Sequence, residues 1–326
     1  MSLQSRFRKK SREDLWKEFM EKSVKIYKDT KNNRDLTAIK VGKLSYKMHL
    51  KFPVALETKE VLDKRFSKLY NSSWTIGLHS EAKKGLGPVM YSEKGKAYLM
   101  LSRRSDLRYR SHSHNHPSPF TMWEKDRRKF FWSGMGMGWL TSPTQNPSTS
   151  RLLSNVSTWT RVPRQYPIVV ARTLYFLLSR RLSNSSLRVL DTSSGWGDRL
   201  VAALASPWVK SYTGIDPNSK MQTTYKEIVK TYLPVRAEIQ KKKQNNGDWK
   251  VCVHGSEDKG GKHNAYRGSN MYDISFTSPP YGLYELYAGT GQNKIQSLTT
   301  TQLFLDKFMH PTVENTTKVL VKGGLL

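Results

Sequence analysis

"SLRVLDTSSGWGDRLVAALASPWVKSYTGIDPN" occupies residues 186–218. Its first segment, SLRVLD, is a short apolar run ending at Asp191. That length and its Leu/Val content read as a buried strand. GDRLVAALAS carries its apolar residues at helical spacing and reads as a helix. KSYTGID, ending at Asp216, reads as a second strand. Strand, helix, strand in so short a span is a βαβ unit, and such units build parallel sheets with right-handed crossovers.

The same rhythm continues outward. NSKMQTTYKEIVKTYL predicts a helix with Asn218 as its N-cap. WKVCVHG predicts a third strand, YDISFT a fourth and TTTQLFLDKFMHPTVENTT a mostly helical connection. KVLVKGGLL begins a fifth strand. Upstream, YPIVVARTLYFLLSRR predicts a helix opening at Pro167 and closing on Arg180 and Arg181, as the helix dipole favours. The expected class is α/β with a parallel sheet over residues 151–326. Ligands of such sheets bind outside the carboxyl ends of the strands, so the chemistry should lie in the segment just after each strand.

Residues 1–150 lack this rhythm. REDLWKEFMEKSVKIYKD places Leu15, Trp16, Phe19, Met20, Val24 and Ile26 near helical spacing. RSHSHNHPSP and FWSGMGMGWLTSPTQNPSTS are rich in breakers. This half is expected to be an irregular, basic, aromatic-rich region for nucleic-acid contact or a partner interface. GMGMG (134–138) has no preceding strand and reads as a loop. His112, His114 and His116 stand only two residues apart in a polar loop with no cysteine nearby, so no metal is expected.

The 326 residues suffice for one large domain or two ordinary ones. An apolar fraction of 37% and nine Trp mark a folded chain. The 55 Lys and Arg against 26 Asp and Glu give a charge of +29. Such an excess repels itself, which points to a polyanionic partner, nucleic acid first. A solubility role or a virion or ribosome environment is the alternative. Cys252 is the single cysteine, which excludes a disulfide framework and a Cys-based zinc site. With no run of 18 apolar residues and no apolar leader segment, no membrane and an intracellular location, cytoplasmic or nuclear, are expected.

Four post-strand segments carry candidate chemistry. In DTSSGWGDRL, Gly195 and Gly197 permit a tight turn and close approach of a ligand, although such turns are often only turns. The Gly-Lys-Ser/Thr ending of a phosphate loop is absent. In GIDPN, Asp216 stands where an acidic residue accepts both ribose hydroxyls. Nicotinamide cofactors and S-adenosylmethionine both fit, as does a plain capping turn. In HGSED, Ser256 and Glu257 offer acceptors for an adenine amino group, or a solvated loop. In SPPY, two prolines fix the direction of the Ser278 and Pro279 carbonyls. Ser278 adds a hydroxyl, and Tyr281 offers a stacking face.

Together LDTSSGWGDRL, GIDPN, HGSED and SPPY resemble the class I S-adenosylmethionine-dependent methyltransferases that modify amino groups of nucleic-acid bases. The phage- and virus-type DNA enzymes are the most similar, and the resemblance covers about residues 140–326. It implies a Rossmann-like parallel sheet of the class I methyltransferase type. Asp191, Gly195 and Gly197 would line the methionine end of the cofactor, Asp216 would take the ribose, and Ser256 or Glu257 would face the adenine. Ser278, Pro279, Pro280 and Tyr281 would hold and stack the target base. The implied reaction is methyl transfer from S-adenosyl-L-methionine to the exocyclic amino group of cytosine N4 or adenine N6 in flipped-out DNA. The helix after RQYP sits where that family has a further cofactor-contacting segment. RNA or a protein glutamine are alternative acceptors, and a non-catalytic nucleic-acid-binding protein on the same scaffold is the rival. The family continues past the fifth strand with further strands, so a partner chain or homo-oligomer completing the sheet is an expectation.

Overall fold

The computed structural model describes residues 10–31, 33–53, 58–72, 101–102, 107–113, 116–135, 152–153, 155–157, 160, 162–241, 249–258, 264–269, 271–280, 285–286 and 298–326. Contacts divide the chain into two units. One comprises residues 1–56 and 109–163, the other 57–108 and 164–326.

The larger unit contains a five-stranded sheet: β1 (Leu187–Asp191), β2 (Val209–Ile215), β3 (Trp249–Cys252), β4 (Tyr272–Ser275) and β5 (Leu320–Leu325). All four pairings are parallel, and the order is β3-β2-β1-β4-β5. The chain grows outward from β1 to β3, then returns to the other side of β1 with β4. That reversal between β1 and β4 is a topological switch point, and the order is compatible with a Rossmann-like sheet. The expected α/β class with a parallel sheet therefore holds, and all five expected strands form.

The central strand is buried on both faces. Leu187 and Val189 join Val209, Tyr212 and Ile274 in one core, whereas Leu190 joins Ile215, Cys252 and Val319 in another. Double burial explains why β1 reads as a near-continuous apolar run. The first core is closed by the helices Ile168–Arg181, Asp198–Leu204 and Gln222–Gln240. Pro167 caps the first of these and Arg180 and Arg181 end it, as the sequence predicts. The third runs through Pro234 to Gln240, beyond the expected end at Leu233. Buried Arg236 anchors this continuation by donating to the carbonyls of Ala203, Leu204, Ser206 and Val209. Asn218 caps a 3-10 turn, Ser219–Met221, through its backbone and makes no side-chain cap bond.

Residues 57–108 belong with the sheet, which moves the unit boundary away from residue 150. The helix Lys59–Asn71 buries Leu62, Phe66, Leu69 and Tyr70, and Phe66 stacks on Tyr232 with ring centroids 4.7 Å apart. Arg172 fixes the end of this helix by donating to the Tyr70 and Ser72 carbonyls.

The smaller unit corrects the expectation of an irregular N-terminal region. Among its described residues, helices run over Arg12–Asp29, Arg34–Lys47, Pro119–Lys125 and Arg127–Met135, with further helical residues between 152 and 157. Side chains of Ser11, Asn33 and Ser118 cap the first three. Their core is aromatic: Trp16, Phe19, Phe52, Trp123, Phe130 and Phe131 pack mostly edge to face or tilted, with centroids 5–6 Å apart. No helix of the described residues is long and apolar enough to cross a membrane.

Candidate functional site

The carboxyl ends of the central strands open into a cleft within the sheet unit. Its walls are the four segments that come after β1 to β4. Thr192, Ser193, Gly195 and Trp196 come after β1. Asp216, Pro217, Asn218 and Met221 come after β2. Gly255, Ser256 and Glu257 come after β3, and Ser278 and Pro280 after β4. Phe308 adds a ring from beyond β4. Six expected site residues, Gly195, Asp216, Ser256, Glu257, Ser278 and Pro280, thus face one space.

The turn after β1 is built by close approach. Gly195 and Gly197 have φ of +56° and +87°, in the left-handed region that favours glycine. A Cβ on Gly197 would stand 2.7 Å from Ile228 Cδ1. Gly197 caps the helix Asp198–Leu204 and does not line the cleft. On β2, Gly214 leaves the space that Ser194 Oγ fills.

Asp216 holds this turn against the end of β2. Its Oδ2 accepts from Gly195 N at 2.9 Å and its Oδ1 from Asn218 N at 2.9 Å. Burial pushes its carboxyl up to about 6, against the pull of those two backbone N–H groups. The Tyr225 hydroxyl beside this carboxylate pulls the same way.

Ser256 is buried; its hydroxyl meets that of Thr312 at 3.0 Å, while its carbonyl accepts from Tyr266 OH at 2.9 Å. The Glu257 carboxylate folds back over Gly255, where a Cβ would collide with it. Ser278 is half-buried at the cleft wall, and Pro279 lies between two lining residues without itself being one. Tyr281 lies outside the described residues.

Asp191 sits elsewhere. It is fully buried and does not line the cleft. Arg199 Nε donates to its Oδ2 at 2.8 Å and Tyr212 OH to the same oxygen at 2.5 Å. Ser193 N, Arg199 Nη2 and Thr277 Oγ1 donate to Oδ1 at 3.1, 3.2 and 3.1 Å. With five donors, the carboxylate is saturated from inside the fold. Burial pulls the Arg199 guanidinium down, but the Asp191 charge outweighs it and the net shift is upward. Burial, then Asp191, pushes the Tyr212 hydroxyl well up, so it stays a donor.

The segment before the Ile168–Arg181 helix also joins this turn. Gln165 Nε2 donates to Asp198 Oδ1 at 3.1 Å and Tyr166 N to Oδ2 at 3.2 Å; the Ser102 hydroxyl donates to the same carboxylate.

Trp196, Met221 and Phe308 supply the apolar lining that the sequence does not single out. Trp196 lies inside the quoted glycine turn, and Met221 comes five residues after Asp216. Phe308 lies in a π-helical segment, Leu305–Met309, where a 3.6-residue period assigns the wrong face. No group of three potential metal-ligating side chains occurs among the described residues. His114 and Tyr281 lie outside them, as does part of GMGMG.

Compared with family models, curated proteins and solved structures, the chain returned no match.

Proposed function

We propose that this protein methylates an exocyclic amino group of a DNA base, cytosine N4 or adenine N6, with S-adenosylmethionine as donor. The observation that carries the reading is the single cleft that unites the segments after β1, β2, β3 and β4 at a switch point of a parallel sheet.

The residues present fit the donor. The lining joins the apolar side chains of Trp196, Met221 and Phe308 to a few convergent polar groups, as small-molecule sites do. Asp216 presents two acceptor oxygens to a ribose diol. Ser256 and Glu257 stand at the next strand end for an adenine amino group, and Met221 and Phe308 offer apolar contact to its ring. When bound, S-adenosylmethionine supplies an electrophilic methyl group on a sulfonium.

The chain's own part is to bind, orient and dehydrate. Ser278 Oγ and the Pro279 carbonyl accept the two N–H bonds of the target amino group and aim its lone pair into the cleft. That nitrogen would take the methyl group of the bound donor, which leaves as the neutral thioether, and one amino proton would be lost to solvent after the transfer. Trp196 and Phe308 exclude water from that space. Catalysis by placement needs no covalent intermediate with the chain, and buried Cys252, its thiol pushed up by burial, is no nucleophile here.

The test is a transfer assay with methyl-labelled S-adenosylmethionine on DNA, RNA and protein, followed by nucleoside analysis. Label in N4-methylcytosine or N6-methyladenine of DNA is the expected result. Label in RNA or in glutamine would move the acceptor, and donor binding without transfer to any acceptor would leave a binding protein.

A further inference from the structure

The smaller unit carries a helix face with no described partner. The Arg34–Lys47 helix buries Thr37, Ala38, Val41, Gly42 and Ser45. At 3.6 residues per turn, Leu36, Lys40, Lys43 and Lys47 fall within about 60° of arc on the opposite side. All four are exposed, Leu36 at 41%, and Tyr46, about 60° round the helix from Lys43 at the edge of this face, is 49% exposed.

The charges on this face are uncompensated. None of Lys40, Lys43 and Lys47 makes a salt bridge among the described residues, whereas on the Arg12–Asp29 helix Glu18 pairs with both Lys10 and Lys22. The Arg34–Lys47 helix has one acid, Asp35, which accepts from Trp132 Nε1 at 2.9 Å. From Leu36 through Leu56 the sequence has no Asp or Glu.

The exposed ring is held in place. The Arg127 guanidinium lies 4.2 Å from the Tyr46 ring centroid and 4.1 Å from that of Trp123. Arg127 Nη1 donates to the Ser45 carbonyl at 2.9 Å, which fixes the stack to the helix. Glu124 is the acidic group near Arg127. Close approach of the Arg127–Met135 helix at Gly42, where a Cβ would meet Arg128 N at 3.3 Å, brings exposed Arg128 and Lys129 to the same region.

We infer that the Lys40–Lys43–Tyr46–Lys47 face binds single-stranded DNA, its lysines on successive phosphates and an unstacked base on Tyr46. Cations without internal acids match a polyanion, and a ring backed by a guanidinium is a stacking platform that offers nothing to a paired, stacked base. An acidic protein surface would satisfy the lysines but leave the ring without a planar partner. The choice of DNA over RNA as the strand rests on the function proposed above, whereas the binding face itself does not depend on the cleft chemistry.

The experiment measures anisotropy of a labelled oligo-dT strand across a salt series, with duplex DNA, oligo-rU and polyglutamate as competitors. For the wild type, oligo-dT should outcompete all three. Lys40→Gln/Lys43→Gln/Lys47→Gln should lower the slope of log affinity against log salt by about 2. Tyr46→Ala should weaken binding about tenfold or more, and Tyr46→Phe should preserve it. S-adenosylmethionine affinity should stay near wild type in all three, since these side chains lie outside the cleft, and thermal melting should do so in the triple variant and in Tyr46→Phe, which keeps the ring on Arg127. An unchanged salt slope in the triple variant overturns the inference, and so does equal competition by duplex, oligo-rU or polyglutamate. If the strand binds as expected but no methyl group is transferred, the function proposed above fails and this face stands.

Discussion

Thr277 Oγ1 donates to Asp191 Oδ1 at 3.1 Å, joining the residue before Ser278 to the residue that ends β1. The same carboxylate oxygen accepts from Ser193 N, in the turn that leads to Gly195. One buried carboxylate therefore sets the positions of two cleft walls. Asp191 acts on the site as a positioning residue, through its donors.

Thr277→Val keeps the shape of the side chain and removes that donor. It should cost about 1 kcal/mol of stability, the net worth of one hydrogen bond. Because Ser278 then loses its lateral anchor, methyl transfer should fall about tenfold with donor affinity nearly unchanged. Thr277→Ser should restore the rate. Urea unfolding, a donor titration and the transfer rate together separate a loss of placement from a loss of fold.

Arg199→Ala leaves the Asp191 charge buried with its strongest partner gone. Breaking one side of a buried pair costs about 3–5 kcal/mol. The Arg199 guanidinium also donates to the Ser193 carbonyl, so the turn should loosen with it. The expected outcome is a large drop in urea midpoint, with Arg199→Lys recovering little of it because an ammonium lacks the two-pronged geometry.

Asp216 gives a pH signature with opposite signs for stability and binding. Its folded value, about 6, lies above the ordinary 3.8. The folded state therefore holds that proton more tightly than the unfolded chain. The Asp216 contribution to stability is full below about 3.8 and is lost as pH rises through about 6, a difference of about 3 kcal/mol. Ribose hydroxyls donate to the ionised form, so donor affinity should instead fall as pH drops through about 6. Asp216→Asn should flatten the affinity profile at a weak level and remove the matching segment of the stability profile. Calorimetric titrations and urea midpoints between about pH 3 and pH 8 provide both curves.

The sheet was legible because β1, buried on both faces, reads as a short apolar run, and because strands and helices alternate around it. In the small unit the Arg12–Asp29 helix was legible from its apolar spacing, and the rest was not. The Arg34–Lys47 helix turns Thr37, Gly42 and Ser45 inward, and small or polar inward residues leave no apolar stripe to count. The Lys59–Asn71 helix does have a stripe, but its partner Tyr232 is far away in sequence, so nothing local tied it to the sheet. Asp191 reads alike in sequence whether it faces a ligand or an arginine. Arg199, eight residues on, was the one sign of an internal partner.

Ser278→Ala tests the cleft wall that differs most between a binding protein and an enzyme. Ser278 lines the cleft beside Pro280, on the opposite side of β1 from Asp216 in strand order. Its hydroxyl should touch the acceptor base and not the donor. Removing it should lower the transfer rate about 10- to 100-fold, the worth of one hydrogen bond made fully only in the transition state. Donor affinity should stay within about twofold, and Asp216→Ala should show the reverse pattern, with donor affinity lost first. If Ser278→Ala weakens donor binding as much as Asp216→Ala does, the two walls grip the same molecule and the acceptor must bind elsewhere.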